Sequence, residues 1–308
     1  MKFDLEYPLN EKNDAVSVLF DVESDHMPSL FSFKSTDVRF SIRHYSFTLI
    51  SQAQFSSNID RFTAYLAVNY IDRFLSKQVV LENKPWIVRI LVMASLSLAA
   101  KMRKINLSLS HIINPISDSN RDEDEGLIFD LQSVNRMESL LLTTLNWRLR
   151  SITPFAFLQF FNLLFELSDA SLSQSLEDRA SDIIFSSHYE IKLLEYKPST
   201  LAASAFLCAA HELIPHQVSF FLDAIKSKCQ HIYKEELLNC WTVIREITVN
   251  EVSSSSLTPN SVLDHQERRS PQSEINPNTN NSSKRRRLND LNDFRNDQTF
   301  HISQVQHC

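Results

Sequence analysis

The chain of 308 residues holds a single glycine, Gly126. Sheets joined by tight hairpins lean on glycine and Asn-Gly turns to supply positive φ, so this scarcity argues against a hairpin-built β architecture and for an all-α chain. One glycine also excludes a phosphate-cradling loop: there is no GxxxxGK and no kinase-type glycine-rich loop, and GxSxG and HExxH are missing as well. No catalytic constellation remains, and the chain is expected to be no enzyme and to carry no cofactor. The four cysteines, Cys208, Cys229, Cys240 and Cys308, stand 21, 11 and 68 residues apart without a CxxC pair. That spacing fits neither a disulfide framework nor a metal site. No apolar run reaches eighteen residues without a charge, and the first residues lack a basic-then-apolar signal. The expectation is an intracellular, reduced, soluble protein with no membrane partner. A formal net charge of -6 gives no basic excess for nucleic acid.

What the chain does have is one strongly apolar stretch, Trp86 to Lys101, WIVRILVMASLSLAAK. Arg89 is its only internal charge. Small side chains at Ala94, Ser95, Ser97, Ala99 and Ala100 alternate with large ones at Leu91, Val92, Met93, Leu96 and Leu98. A helix apolar on nearly every side is buried on nearly every side, and Pro85 sits where a first turn needs no amide donor. Leu201 to His211, LAASAFLCAAH, lies on Leu91 to Lys101 when moved back 110 positions. Either two Ala-rich buried helices align by composition alone, or the chain holds two copies of one helical unit. The length suits two units.

Taken in order, residues 1–34 show no sustained period and read as a largely flexible arm, with one short docked segment around Val16 to Phe20. Thr36 and Asp37 offer N-caps for a first helix over Val38 to Gln54, which contains Arg43. Asp60 caps a second over Arg61 to Ser76, where Phe62, Leu66, Tyr70 and Phe74 step by four and Asp72 and Arg73 need partners if buried. The central stretch is the third, Ile105 to Ile113 a short fourth, and Leu131 to Leu145 a fifth, closed by Trp147. The acidic run Asp118 to Glu125 is a solvated loop, since it lacks the glycine and terminal glutamate of a calcium loop.

Four segments carry a resemblance: NYIDRFL at 69–75, LSLAAKM at 96–102, RMESLLLTTLNWRLRSITPFAF at 136–157 and EYKPSTLAASA at 195–205. Together they resemble the plant D-type cyclins, with the divergent sixth subgroup as the nearest match, over roughly residues 36–248. The resemblance implies two tandem five-helix units: an N-terminal cyclin box over 35–152 and a C-terminal cyclin fold over 153–249. It implies a regulatory subunit that binds and activates an A-type cyclin-dependent kinase at the G1/S transition, with kinase inhibitors as further partners. Lys101 and Glu138 match the pair that hydrogen-bonds the kinase, and Ile90 stands where the family usually has Leu. Arg43 and Asp72 match a buried ion pair tying the first helix to the second.

This chain departs from the pattern in places. Arg103 and Lys104 stand where two acidic residues are common, which reverses the charge expected to face the kinase. Leu49 replaces a usual Trp, and Tyr45 and Ser46 replace apolar members of the patch that docks Arg-x-Leu substrates, so weak docking is expected. LxCxE is missing, so retinoblastoma binding through it is not expected. A cyclin-like adaptor, a titrating subunit without kinase activation, or a transcription-factor-type use of the fold are the alternatives.

From Thr153 the second unit follows. Phe155, Phe157, Leu158, Phe160, Phe161, Leu164 and Phe165 form a dense apolar helix. Ser171 to Ser186, the repeated central helix, Val218 to Ala224 and Glu235 to Ile247 supply the rest. Cys208 and Cys240 read as small core residues, and His211 as an edge histidine. Residues 250–308 form a tail too polar to order itself. Within it Lys284, Arg285, Arg286 and Arg287 make a nuclear-import candidate, so the nucleus is the expected compartment, with the cytoplasm second. Thr258 and Ser270, each before a proline, are phosphorylation candidates. Residues 269–284 resemble the degradation-promoting segments of unstable regulators.

Overall fold

The computed structural model describes residues 13–29, 33, 37–77, 84–107, 131–165, 167 and 169–255. Among them the regular elements are ten α-helices and three short 3-10 turns, with no strand. The helices are α1 (Asn13–Val22), α2 (Asp37–Ser57), α3 (Arg61–Lys77), α4 (Pro85–Arg103), α5 (Leu131–Thr144), α6 (Phe155–Leu164), α7 (Ala170–Ser187), α8 (Pro198–Leu213), α9 (Val218–Lys228) and α10 (Lys234–Ser255). All lie in one compact unit, Met1–Thr258.

The two central helices are α4 and α8. Each begins with proline at its first position, where the ring's fixed φ suits a helix start. Each then buries thirteen consecutive residues, Val88–Ala100 in α4 and Pro198–Ala210 in α8. These two windows are 110 positions apart at both ends, so the offset seen in the sequence is an offset in burial. α4 is surrounded by α2, α3 and α5, and α8 by α6, α7, α9 and α10. Although α4 is long and apolar enough by composition to cross a membrane, most of it is buried inside this bundle.

With glycine so scarce, other residues end the helices. After α2, α4 and α5 the chain turns through left-handed conformations at Asn58, Lys104 and Asn146, and Trp147 is left-handed too. Ile105 N–H bonds the Ala100 carbonyl at 2.9 Å and Lys104 N–H that of Lys101 at 3.2 Å. Trp147 to Leu142 and Asn146 to Thr143 repeat this pairing at 2.9 and 3.0 Å. Both are Schellman endings, which favour glycine at the left-handed position. Asp60 does cap α3, accepting from Thr63 N–H at 3.0 Å and Thr63 Oγ1 at 2.6 Å.

The short fourth helix expected from Ile105 is not seen at its start: Ile105–Leu107 are non-helical, because the Lys104 turn has just stopped α4. The remainder of that segment, the acidic run and Gly126 lie outside the described residues. The docked stretch of the N-terminal arm is longer than Val16 to Phe20. It spans α1 and the 3-10 turn Glu23–His26, with Val16, Leu19, Phe20 and Glu23 all buried, because Phe20 and Glu23 both find seats on the C-terminal helices.

Candidate functional site

The last turn of α4 meets the middle of α5 at one ion pair. Lys101 Nζ lies 2.7 Å from each carboxylate oxygen of Glu138. The glutamate side chain is 11% exposed and the lysine 60%, so the carboxylate is sunk into the α4/α5 seam and the ammonium sits at its rim. A cation at a helix C-terminus is favoured by the dipole. A pair this open contributes little to folding. It sets an ammonium with three N–H donors at the surface beside a carboxylate that fixes its position.

Ile90, assigned to the partner-facing set, is 7% exposed and part of the core. It supports α4 from beneath and offers almost no surface of its own. The charge reversal expected at Arg103 and Lys104 is also corrected. Arg103 turns back onto α3, where it pairs with Asp60, donates to Thr63 Oγ1 at 3.0 Å and lies 4.6 Å over the Phe62 ring. Its charge is neutralised at the bundle surface, and only Lys104 remains exposed from that pair.

Trp147 closes α5 as expected, its N–H bonding the Leu142 carbonyl, but its exposure was not foreseen. It ends the α5 Schellman turn, 74% exposed and with φ of 60°. A bulky residue in the left-handed region is strained by about 1 kcal/mol or more, and an exposed indole gains nothing from packing. Ile105, just past the end of α4, and Leu140 on α5 are exposed apolar residues as well. The available signal was the tryptophan's place after the helical period had ended.

A second polar cluster lies between the two helical bundles. Arg43 Nε donates to Asp72 Oδ1 at 2.9 Å, and both side chains are buried. The same guanidinium donates to the backbone carbonyls of His188 at 2.6 Å and Tyr189 at 2.9 Å. It therefore ties α2 to α3 and, beyond the expected pair, caps the C-terminal end of α7. His188 Nε2 stands 3.2 Å from Asp72 Oδ2. Burial pushes the Asp72 carboxyl up, but Arg43 and His188 together hold it below the usual carboxylate range. Burial pushes the His188 imidazole down, against the pull of Asp72.

Of the residues that depart from the family pattern, Ser46 and Leu49 are buried, and Tyr45 accepts a hydrogen bond from the buried Arg89 at 3.2 Å. Arg73 is satisfied by Ser151 Oγ and the Arg148 carbonyl. Cys208, Cys229 and Cys240 are buried free thiols. No cluster of metal-binding side chains occurs among the described residues. Lys284 to Arg287, Thr258 and Ser270 lie outside them.

Comparison with known proteins decides the family. Residues 14–150 match the model of the cyclin N-terminal domain and 152–270 that of the cyclin C-terminal domain. The chain belongs to the cyclin family. A putative cyclin-D6-1 of Arabidopsis thaliana is 39% identical over 291 residues, covering 86% of this chain and 91% of the relative. Cyclin-D6-1 of Oryza sativa subsp. japonica is 33% identical, covering 89% and 84% respectively. This cyclin is therefore of the plant D type. A viral cyclin from herpesvirus saimiri shares the fold at 15% identity, with a TM-score of 0.56 over 70% of this chain and 88% of that one. Cyclins are regulatory subunits and not themselves enzymes.

Proposed function

We propose that this cyclin binds and activates an A-type cyclin-dependent kinase and acts at the G1/S transition. The observation that carries the reading is the α4/α5 seam with its positioned, half-open Lys101–Glu138 pair; the exposed, left-handed Trp147 stands past the end of α5. The ammonium offers donors to backbone carbonyls of the kinase, and the indole, with Ile105 and Leu140, offers apolar area. Neither half stabilises the free cyclin much, so both are surface held ready for a partner. A seam on two rigid helices gripping the kinase C-helix would favour the conformer in which the catalytic Lys–Glu pair is formed. Activation then follows from differential affinity for the two kinase states.

The test is phosphorylation of histone or a retinoblastoma peptide by such a kinase, with and without the full chain, beside a pull-down. Activity rising with added cyclin supports the proposal. Lys101→Ala with Glu138→Ala is expected to abolish co-purification while melting stays near wild type. Binding without activation would favour the titrating reading, which has lost one of its supports now that Arg103 is neutralised by Asp60. Nuclear import through Lys284 to Arg287 is part of the same proposal. Alanine at all four is expected to shift a fluorescent fusion toward the cytoplasm.

A further inference from the structure

α8 lacks a capping side chain of its own. Its N-cap, Lys197, makes no capping hydrogen bond. The cap comes from 176 residues away: Glu23, fully buried, accepts from Ser199 N–H at 2.8 Å and from Ser199 Oγ at 2.8 Å. Three residues earlier, Phe20 stacks on His231 at 5.0 Å with the rings nearly parallel. The Phe20 ring also lies 4.9 Å from that of Phe157 and 5.7 Å from that of Phe160. The C-terminal bundle thus has an aromatic slot and, beside it, a helix N-terminus with two donors and Lys197 nearby. This is the complement of an aromatic residue followed at the third position by a carboxylate.

The seated segment is not locked in. Burial pushes the Glu23 carboxyl up, opposed by the Ser199 hydrogen bonds and by Lys197, so its desolvation offsets part of what its contacts contribute. Past it, His26, Met27 and Pro28 roof a cavity of about 20 Å³. His26 Nδ1 and Asn69 Oδ1, on two residues lining that cavity, are buried without a hydrogen-bond partner among the described residues. The segment is anchored at Val16, Leu19, Phe20 and Glu23 but runs past them over unpartnered polar atoms, a local defect of the kind from which partial opening starts.

We propose that the C-terminal bundle is a docking site for peptides of the pattern aromatic-x-x-acidic, and that Phe20 and Glu23 fill it in cis as an exchangeable occupant. The partner class is a protein displaying that motif at the end of a helix, as α1 and the 3-10 turn after it do here. This reading is independent of the kinase proposal and concerns the opposite half of the molecule.

The probe is a labelled peptide of residues 13–29, titrated by fluorescence anisotropy into full-length Phe20→Ala/Glu23→Gln protein, whose own occupant is disabled. Saturable 1:1 binding is expected. Wild-type protein is expected to bind at least tenfold more weakly, because the cis segment competes at the millimolar effective concentration of a short tether. A peptide carrying Glu23→Gln is expected to lose at least tenfold on the disabled protein. No binding to the disabled protein, or equal binding of both peptides, would overturn the proposal. Should the double variant fail to fold, hydrogen exchange on wild-type protein decides. Residues 13–29 are expected to exchange at least tenfold faster than α8, and protection of both at one common rate would overturn exchange.

Discussion

Arg43 is the residue whose loss should be felt most widely. Replacing it with methionine keeps the volume but removes every donor it offers. Asp72 is then a fully buried carboxylate facing only His188, and the carbonyls of His188 and Tyr189 lose their partner. Breaking a buried pair by removing one member costs about 3–5 kcal/mol. At roughly 2–4 °C per kcal/mol for a chain of this size, the midpoint should fall by roughly 6–20 °C. Replacing both charges, Arg43→Met with Asp72→Leu, removes the stranded carboxylate. It should recover much of the loss and leave about 1–3 kcal/mol for the uncapped carbonyls. Urea unfolding followed by helical dichroism measures all four corners of the cycle. The pH dependence gives a second signature. In wild type the Asp72 carboxyl is held low, so its contribution is present above the ordinary value of 3.8 and is lost only as pH falls through the depressed folded value. Without Arg43, burial dominates and raises that value, so the single variant should gain stability as pH falls from 7 toward 5. A double variant no more stable than the sum of the singles would refute the coupling and leave Arg43 as a packing residue.

Other consequences are simpler to check. Lys104→Gly relieves a left-handed lysine and should raise the unfolding free energy by about 1 kcal/mol in urea titration. Trp147→Ala removes an exposed side chain, so stability should change by less than about 0.5 kcal/mol while kinase capture in a pull-down is lost. Cys208, Cys229 and Cys240, with thiols raised by burial to about 12, 11 and 12, should react with a thiol reagent at pH 8 only as fast as the protein opens. His26 and His188 are both held below the ordinary 6.5, chiefly by burial. Below pH 6.5 the unfolded chain takes up protons that the folded one refuses, so each destabilises by up to about 1.4 kcal/mol per pH unit. His26→Gln should flatten that slope in pH-dependent melting.

The helices were legible where burial repeats. Leu91, Val92 and Met93 sit among neighbours that leave no doubt about their surroundings, and Asp60 announced α3 by a cap any sequence can show. Lys101 and Glu138 were legible only through a resemblance, because a lysine and a glutamate 37 positions apart carry no local sign that they meet. Arg103 was misread for the same reason. Its charge was visible and its direction was not, since Asp60 and Phe62 lie some forty residues away and are brought to it by the α3/α4 packing. Glu23 was missed altogether. It looked like one more acidic residue in a polar arm, and only Lys197's lack of a capping side chain makes it necessary.

The offset of 110 shows what the duplicated architecture keeps and what it lets go. It carries the buried window of α4 onto that of α8, and Val134 of α5 onto Ile244 of α10, both buried. Applied to the seam, the same offset takes Lys101 to His211 and Glu138 to Thr248, and the ion pair disappears. Core positions answer to packing, which both bundles share, whereas the pair at the rim does not repeat. The second bundle instead pairs Glu212, in the last turn of α8, with Arg179 of α7, and its central helix takes a carboxylate from the N-terminal segment at its start. The two bundles are therefore one scaffold with different edges.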